Sequence, residues 1–150
     1  MFRNIAYLLL ALFLPFSLSA QKPQELTAIL ESCPQDSCVR VEFSITALQD
    51  DSEVSDAGYV EIQDGLWVMK ARGLEMYTDG SGTWIVDPSS KEVLIEPVWT
   101  YADLENFYKA FVSQGGRMDL KILSRTCSQK KPDSSFTPSF DSSWIITDLR

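Results

Sequence analysis

The sequence predicts an α+β domain, in which a curved antiparallel sheet or incomplete β-barrel is covered by two helices. Three observations predict it. Residues 57–98 break into five short strand-like runs punctuated by Gly, Asp and Pro. Residues 39–47 alternate apolar and polar side chains without interruption. Two further segments, one before and one after these runs, carry apolar residues at helical spacing.

The first helical segment opens at Pro23, a residue suited to a first helical turn because its missing N–H is unpaired there anyway. Leu26, Ile29 and Leu30 share one face, and Cys33-Pro34 ends the run. Val39, Val41, Phe43, Ile45 and Ala47 then alternate with Arg40, Glu42, Ser44 and Thr46, as in a half-buried strand. Gln49 to Asp56 is acidic and reads as an exposed loop. Val60 and Ile62 alternate with Tyr59, Glu61 and Gln63. Asp64-Gly65 follows, and Gly accepts the positive φ that a type I′ hairpin turn demands.

Leu66 to Ala71 is the next strand, and Arg72-Gly73 breaks it. Leu74 to Thr78, Thr83 to Val86 and Glu92 to Val98 follow, separated by the turns Asp79-Gly80-Ser81-Gly82 and Asp87-Pro88-Ser89-Ser90. A meander of this kind has one apolar face that something must cover. The second helical segment supplies a cover: Thr100 and Asp103 form a capping box, and Leu104, Phe107, Tyr108 and Phe111 make an apolar stripe. Gly115-Gly116 stops it. Met118 to Leu123 reads as a strand, residues 124–143 as a Ser/Pro-rich tail that Phe136 and Phe140 pin down, and Trp144-Ile145-Ile146 as a last strand.

Residues 1–20 read as a cleavable secretion signal, with Arg3 as its basic start, an apolar run from Ile5 to Phe16 and small residues at Ser17-Leu18-Ser19-Ala20. The alternative is an uncleaved anchor. Cleavage leaves residues 21–150 as a single domain in the periplasm. The leader holds one of the 13 basic residues and none of the 21 acidic ones, so the mature net charge is −9. Such a surface opposes nucleic acid and strong binding to anionic membranes. Three cysteines fit an oxidising compartment. The expected staple is Cys33–Cys38, with a bridge from Cys127 to either, or reduced thiols, as the alternatives.

Catalysis is not expected. The chain has no His, and Glu42 and Glu61 alternate away from the apolar side. Ser81-Gly82 lacks the Lys of a phosphate loop and enters a strand. Cys127 has no His to activate it. Neither a metal nor a cofactor is expected, because no ligand spacing is present. The positive signal is apolar: Trp67, Met69, Met76, Trp84 and Trp99 gather in and beside the meander, and Met adapts to ligands of varied shape. The plainer reading makes these residues core.

Asp79, Gly80, Trp84, Asp87, Glu92 and Val93, taken in order within YTDGSGTWIVDPSSKEVLIEP, resemble the pattern of the LolA family of periplasmic lipoprotein carriers. The terminal Thr147-Asp148-Leu149-Arg150 resembles the end of one branch of that family. The resemblance covers roughly residues 23–111 and the last few. It implies that Val41, Phe43, Ile45, Val60, Ile62, Trp67, Met69, Met76, Trp84, Val93 and Ile95 form a lipid-binding face. It implies lid helices bearing Leu26, Ile29, Leu30, Leu104, Phe107, Tyr108 and Phe111. It also implies acyl chains of lipoproteins as the cargo, an inner-membrane ATP-driven exporter as the donor, and an outer-membrane acceptor. Where many members carry a basic Arg-Pro element, this chain reads Gln63-Asp64-Gly65, and its C-terminal half is shorter, which implies a smaller or more open barrel. The alternative is a non-catalytic envelope interaction or sensor module whose apolar face is filled by its own side chains.

Overall fold

The computed structural model describes residues 33–49, 52–98, 110 and 113–150. The expected leader and the lid positions Leu26, Ile29, Leu30, Leu104, Phe107, Tyr108 and Phe111 lie outside them. The described residues form eight strands: β1 (Ser37–Gln49), β2 (Ser52–Gln63), β3 (Leu66–Ala71), β4 (Leu74–Thr78), β5 (Thr83–Asp87), β6 (Glu92–Glu96), β7 (Arg117–Gln129) and β8 (Ile145–Asp148). They make one sheet in the order β7-β1-β2-β3-β4-β5-β6-β8.

The expected α+β class is thereby corrected. Among the described residues the protein is nearly all strand, in an open eight-stranded sheet that two helices do not cover. The sheet is mixed, because β8 joins β6 in parallel while every other pair is antiparallel. Two boundaries also move. Residues 52–56, read as a loop, extend β2 along β1, with Val54 opposite Ala47 and Asp56 opposite Ile45. Ser124 to Gln129, read as tail, belong to β7.

Turn chemistry sets the register. Asp64 and Gly65 have φ of 51° and 81°, the pair of positive values that a type I′ turn requires. Arg72 and Gly73 repeat it at 54° and 71°. Two-residue loops pair Gln63 with Leu66 and Ala71 with Leu74. The four-residue loops that follow pair Thr78 with Thr83 and Asp87 with Glu92. Parity along the strands then assigns every side chain to one of two faces.

One face, called here the methionine face, holds Val39, Val41, Phe43, Ile45, Val60, Met69, Ala71, Leu74, Met76, Ile85 and Leu94, all buried. The other holds Cys38, Val68, Tyr77, Trp84, Val86, Val93 and Ile95, with Phe136 set against them. The chain covers this second face itself. From the end of β7, residues 130–144 cross from one edge of the sheet to the other and enter β8. Within this strap, Asp133–Phe136 forms a 3₁₀ turn that delivers the Phe136 ring to the apolar cluster, where it is fully buried.

Polar bonds align the strap. Gln63 is buried on the strap face; its side-chain amide donates to the carbonyl of Lys131, and its oxygen accepts from the Lys131 N–H, both at 2.7 Å. A buried amide is retained only where it is so paired. Lys131 also reaches Glu61 at 2.7 Å, and Lys130 pairs with Asp64. Further along, Thr137 donates to Asp79, and the rings of Phe140 and Trp144 meet at 4.9 Å. Ile145 N–H donates to Lys91 O, and Leu149 N–H to Ile95 O.

The disulfide expectation is also corrected: Cys33 bonds Cys127, and Cys38 is a buried free thiol. Strand parity is the reason. Cys127 stands opposite Val39 and so shares the methionine face, where Cys33 also packs. Cys38, one residue earlier, points to the strap face. Close spacing in sequence is defeated by the sheet between them.

Candidate functional site

The methionine face is a broad apolar surface built from six strands. In register, Val41, Val60, Met69, Met76, Ile85 and Leu94 form one unbroken apolar row from β1 to β6. At the usual interstrand spacing the row is about 24 Å wide. Arg125 of β7 stands at one end, opposite Val41, and Thr147 of β8 at the other, opposite Leu94. Phe43, Ala71 and Leu74 lie on one side of the row, and Ile62 and Trp67 on the other, only half-buried. Met69 and Met76 sit opposite each other at its centre with no exposed surface.

Eight of the expected lipid-binding residues come together here: Val41, Phe43, Ile45, Val60, Ile62, Trp67, Met69 and Met76. Trp84, Val93 and Ile95 do not, and this is a correction: they lie under the strap on the opposite face. β5 and β6 are buried on both sides, so their sequences read as continuous apolar runs with no visible alternation. Ile85 and Leu94 occupy the places on the methionine face that were assigned to those neighbours. Val39, Ala71 and Leu74 belong to it as well.

The strap face divides into an apolar half and a charged half. Arg40 lies over the Tyr59 ring at 3.5 Å and reaches Glu42 and Glu61. Lys70 bonds Glu75 at 2.9 Å, and the Tyr77 hydroxyl donates to the same carboxylate. A shallow groove of about 710 Å³ beside them is lined by Asp56, Tyr59, Lys70, Arg72 and Glu75 among others. Its two carboxylates and two cations balance, and it contains no nucleophile placed against a base. Among the described residues no cluster of His, Cys, Asp and Glu is arranged to hold a metal ion.

These groups give the stability a defined pH profile. Burial acts to raise the Glu61 carboxyl, but the hydrogen bonds and charges of Lys131 and Arg40 outweigh it and hold the group below its ordinary value of 4.5. Its contribution is complete above pH 4.5 and is lost as pH falls through the depressed value. Burial, then the hydrogen bond and charge of Glu75, push the Tyr77 phenol from 10.0 up to about 12. That contribution is complete below pH 10.0 and is lost as pH rises toward about 12. Melting temperatures across pH should therefore fall at both ends. Glu61→Gln should flatten the acid limb and Tyr77→Phe the alkaline limb; limbs parallel to wild type would refute these assignments.

No known family model matches the sequence, and no curated protein resembles it significantly.

Proposed function

We propose that the protein is a periplasmic, non-catalytic carrier that holds acyl chains of lipoproteins on its methionine face and passes them toward the outer membrane. The observation that carries this reading is the six-strand apolar row with Met69 and Met76 at its centre. The apolar half of the opposite face is covered by the chain's own strap, so the methionine face is the larger apolar surface that the strap does not cover. Each methylene buried there contributes about 0.8 kcal/mol, so a long acyl chain gives on the order of 10 kcal/mol. Loading must displace whatever buries the empty face, so net affinity is a difference and release stays accessible. The resemblance of residues 79–96 to the LolA carriers supports the same cargo and the same partners, an ATP-driven exporter as donor and an outer-membrane acceptor. No nucleotide motif is present, so direction comes from those partners.

A second reading is favoured by one observation: Met69 and Met76 have no exposed surface. On that reading the face is ordinary core, and the protein is an envelope interaction or sensor module. Native mass spectrometry of the mature protein, purified from periplasm without detergent, separates the two. The carrier is expected to show added mass that extraction identifies as acyl lipid or lipopeptide. An apo mass, with no uptake of a diacylated lipopeptide, would overturn the carrier reading and leave the module.

A further inference from the structure

We propose that β7 is a docking edge for an acidic, extended segment of a partner protein, which adds to the sheet as a further strand. Among the described residues β7 is an outermost strand, paired with β1 on one side only. It is 13 residues long, whereas the opposite edge, β8, has four. From Lys121 to Lys130 every residue except Ile122 is exposed. An edge of this length offers a row of free backbone donors and acceptors to an incoming strand.

Charge identifies the occupant. The whole chain carries −8, yet residues 117–131 hold five basic residues and a single acidic one, Asp119. Lys130 and Lys131 are already paired with Asp64 and Glu61. Arg117, Lys121 and Arg125 have no ionic partner among the described residues, although Arg40, Lys70 and Arg150 all do. Three unpaired cations along one edge repel the same edge of a second copy and attract an acidic strand.

The bulge adds specificity. Register shifts between Glu42 and Phe43, leaving Leu123 of β7 unmatched and 59% exposed. Lys121 and Arg117 stand opposite Ser44 and Leu48, on the strap-face side, while Arg125 stands opposite Val41 on the methionine side. Cations therefore flank both faces of the edge. A fitting partner strand of about nine residues sets acids against Arg117 and Lys121 on one face and Arg125 on the other. It has a neutral or basic residue facing Asp119. Backbone bonds supply the affinity and the side chains select.

The test uses the full mature chain and two labelled peptides, one alternating Glu and Val, the other alternating Lys and Val. Fluorescence anisotropy should show binding of the Glu-Val peptide that weakens as salt is raised. Hydrogen exchange should slow at the amides of residues 117–129. Lys121→Glu combined with Arg125→Glu, both exposed positions, should keep the wild-type melting temperature and weaken binding about tenfold. Equal binding of the Lys-Val peptide, protection confined to β8, or undiminished binding by the double variant would overturn the proposal. So would failure of the Glu-Val peptide to bind while phosphatidylglycerol vesicles do, which would assign the basic edge to a lipid surface instead.

Discussion

Phe136→Ala is expected to remove about 3–5 kcal/mol of unfolding free energy, the cost of truncating a fully buried ring and leaving its cavity. Against a total of about 5–15 kcal/mol for a domain, that is a large share. The magnitude follows from how the strap is held. Its backbone bonds to Gln63 contribute about 1 kcal/mol each. The half-exposed Lys131–Glu61 pair adds roughly 0–1 kcal/mol. All four residues of β8 are exposed, so this strand buries little of its own. The Phe136 ring is the strap's one fully buried side chain in the Val68, Tyr77, Trp84, Val86, Val93 and Ile95 cluster, with the partly buried Phe140 and Trp144 packed beside it, so its truncation is the largest single loss expected. Urea unfolding should report the loss, and a protease specific for basic residues should cut after Lys130 far faster in the variant. Phe136→Leu, which keeps most of the volume, should cost less than about 1.5 kcal/mol. A loss below about 1 kcal/mol for the Ala variant would show that the strap is anchored elsewhere.

The same ring shows what was legible in the sequence. β3 to β6, their turns and the alternating centre of β1 could be read locally, because Asp-Gly turns and period-two patterning are local signals, whereas residues 52–56 of β2, acidic and with Val54 as their one apolar residue, carried no such pattern. Residues 130–144 could not be placed, because nothing local says that a Ser/Pro-rich tail crosses a sheet. The one signal was Phe136 and Phe140 themselves, large apolar side chains in an otherwise polar stretch. The exchange of Trp84 for Ile85, and of Val93 and Ile95 for Leu94, has a different cause. It was decidable by parity: carrying the register from Asp64-Gly65 through each loop puts Met69 opposite Met76, Met76 opposite Ile85, and Ile85 opposite Leu94. Alternation within β5 and β6 could not decide it, since both of their faces are buried.

Reduction of Cys33–Cys127, or Cys127→Ser, is expected to cost roughly 4–5 kcal/mol. The bond joins residues 94 apart, and in the chain-entropy account a closed loop of this size restricts the unfolded chain by about that amount. A Cys33–Cys38 bridge would close only a few residues and constrain far less. The two pairings therefore differ in energy as well as in identity. Cys127 is exposed and Cys33 half-buried, so a small reductant has access without prior unfolding. Cys38 behaves oppositely: burial first, then the Glu61 charge, raise its thiol, so it is both inaccessible and protonated. An alkylating reagent should find no thiol in the native oxidised protein, one after denaturation, and all three after reduction. Peptide mapping should recover residues 33 and 127 in one linked fragment. Because Cys127 lies at the end of β7 nearest the strap, reduction should also loosen that strand's attachment to the segment before β1, and urea unfolding should shift to a lower midpoint. Recovery of a linked Cys33–Cys38 fragment, or an unchanged midpoint after reduction, would show that the long loop is not the one the protein closes.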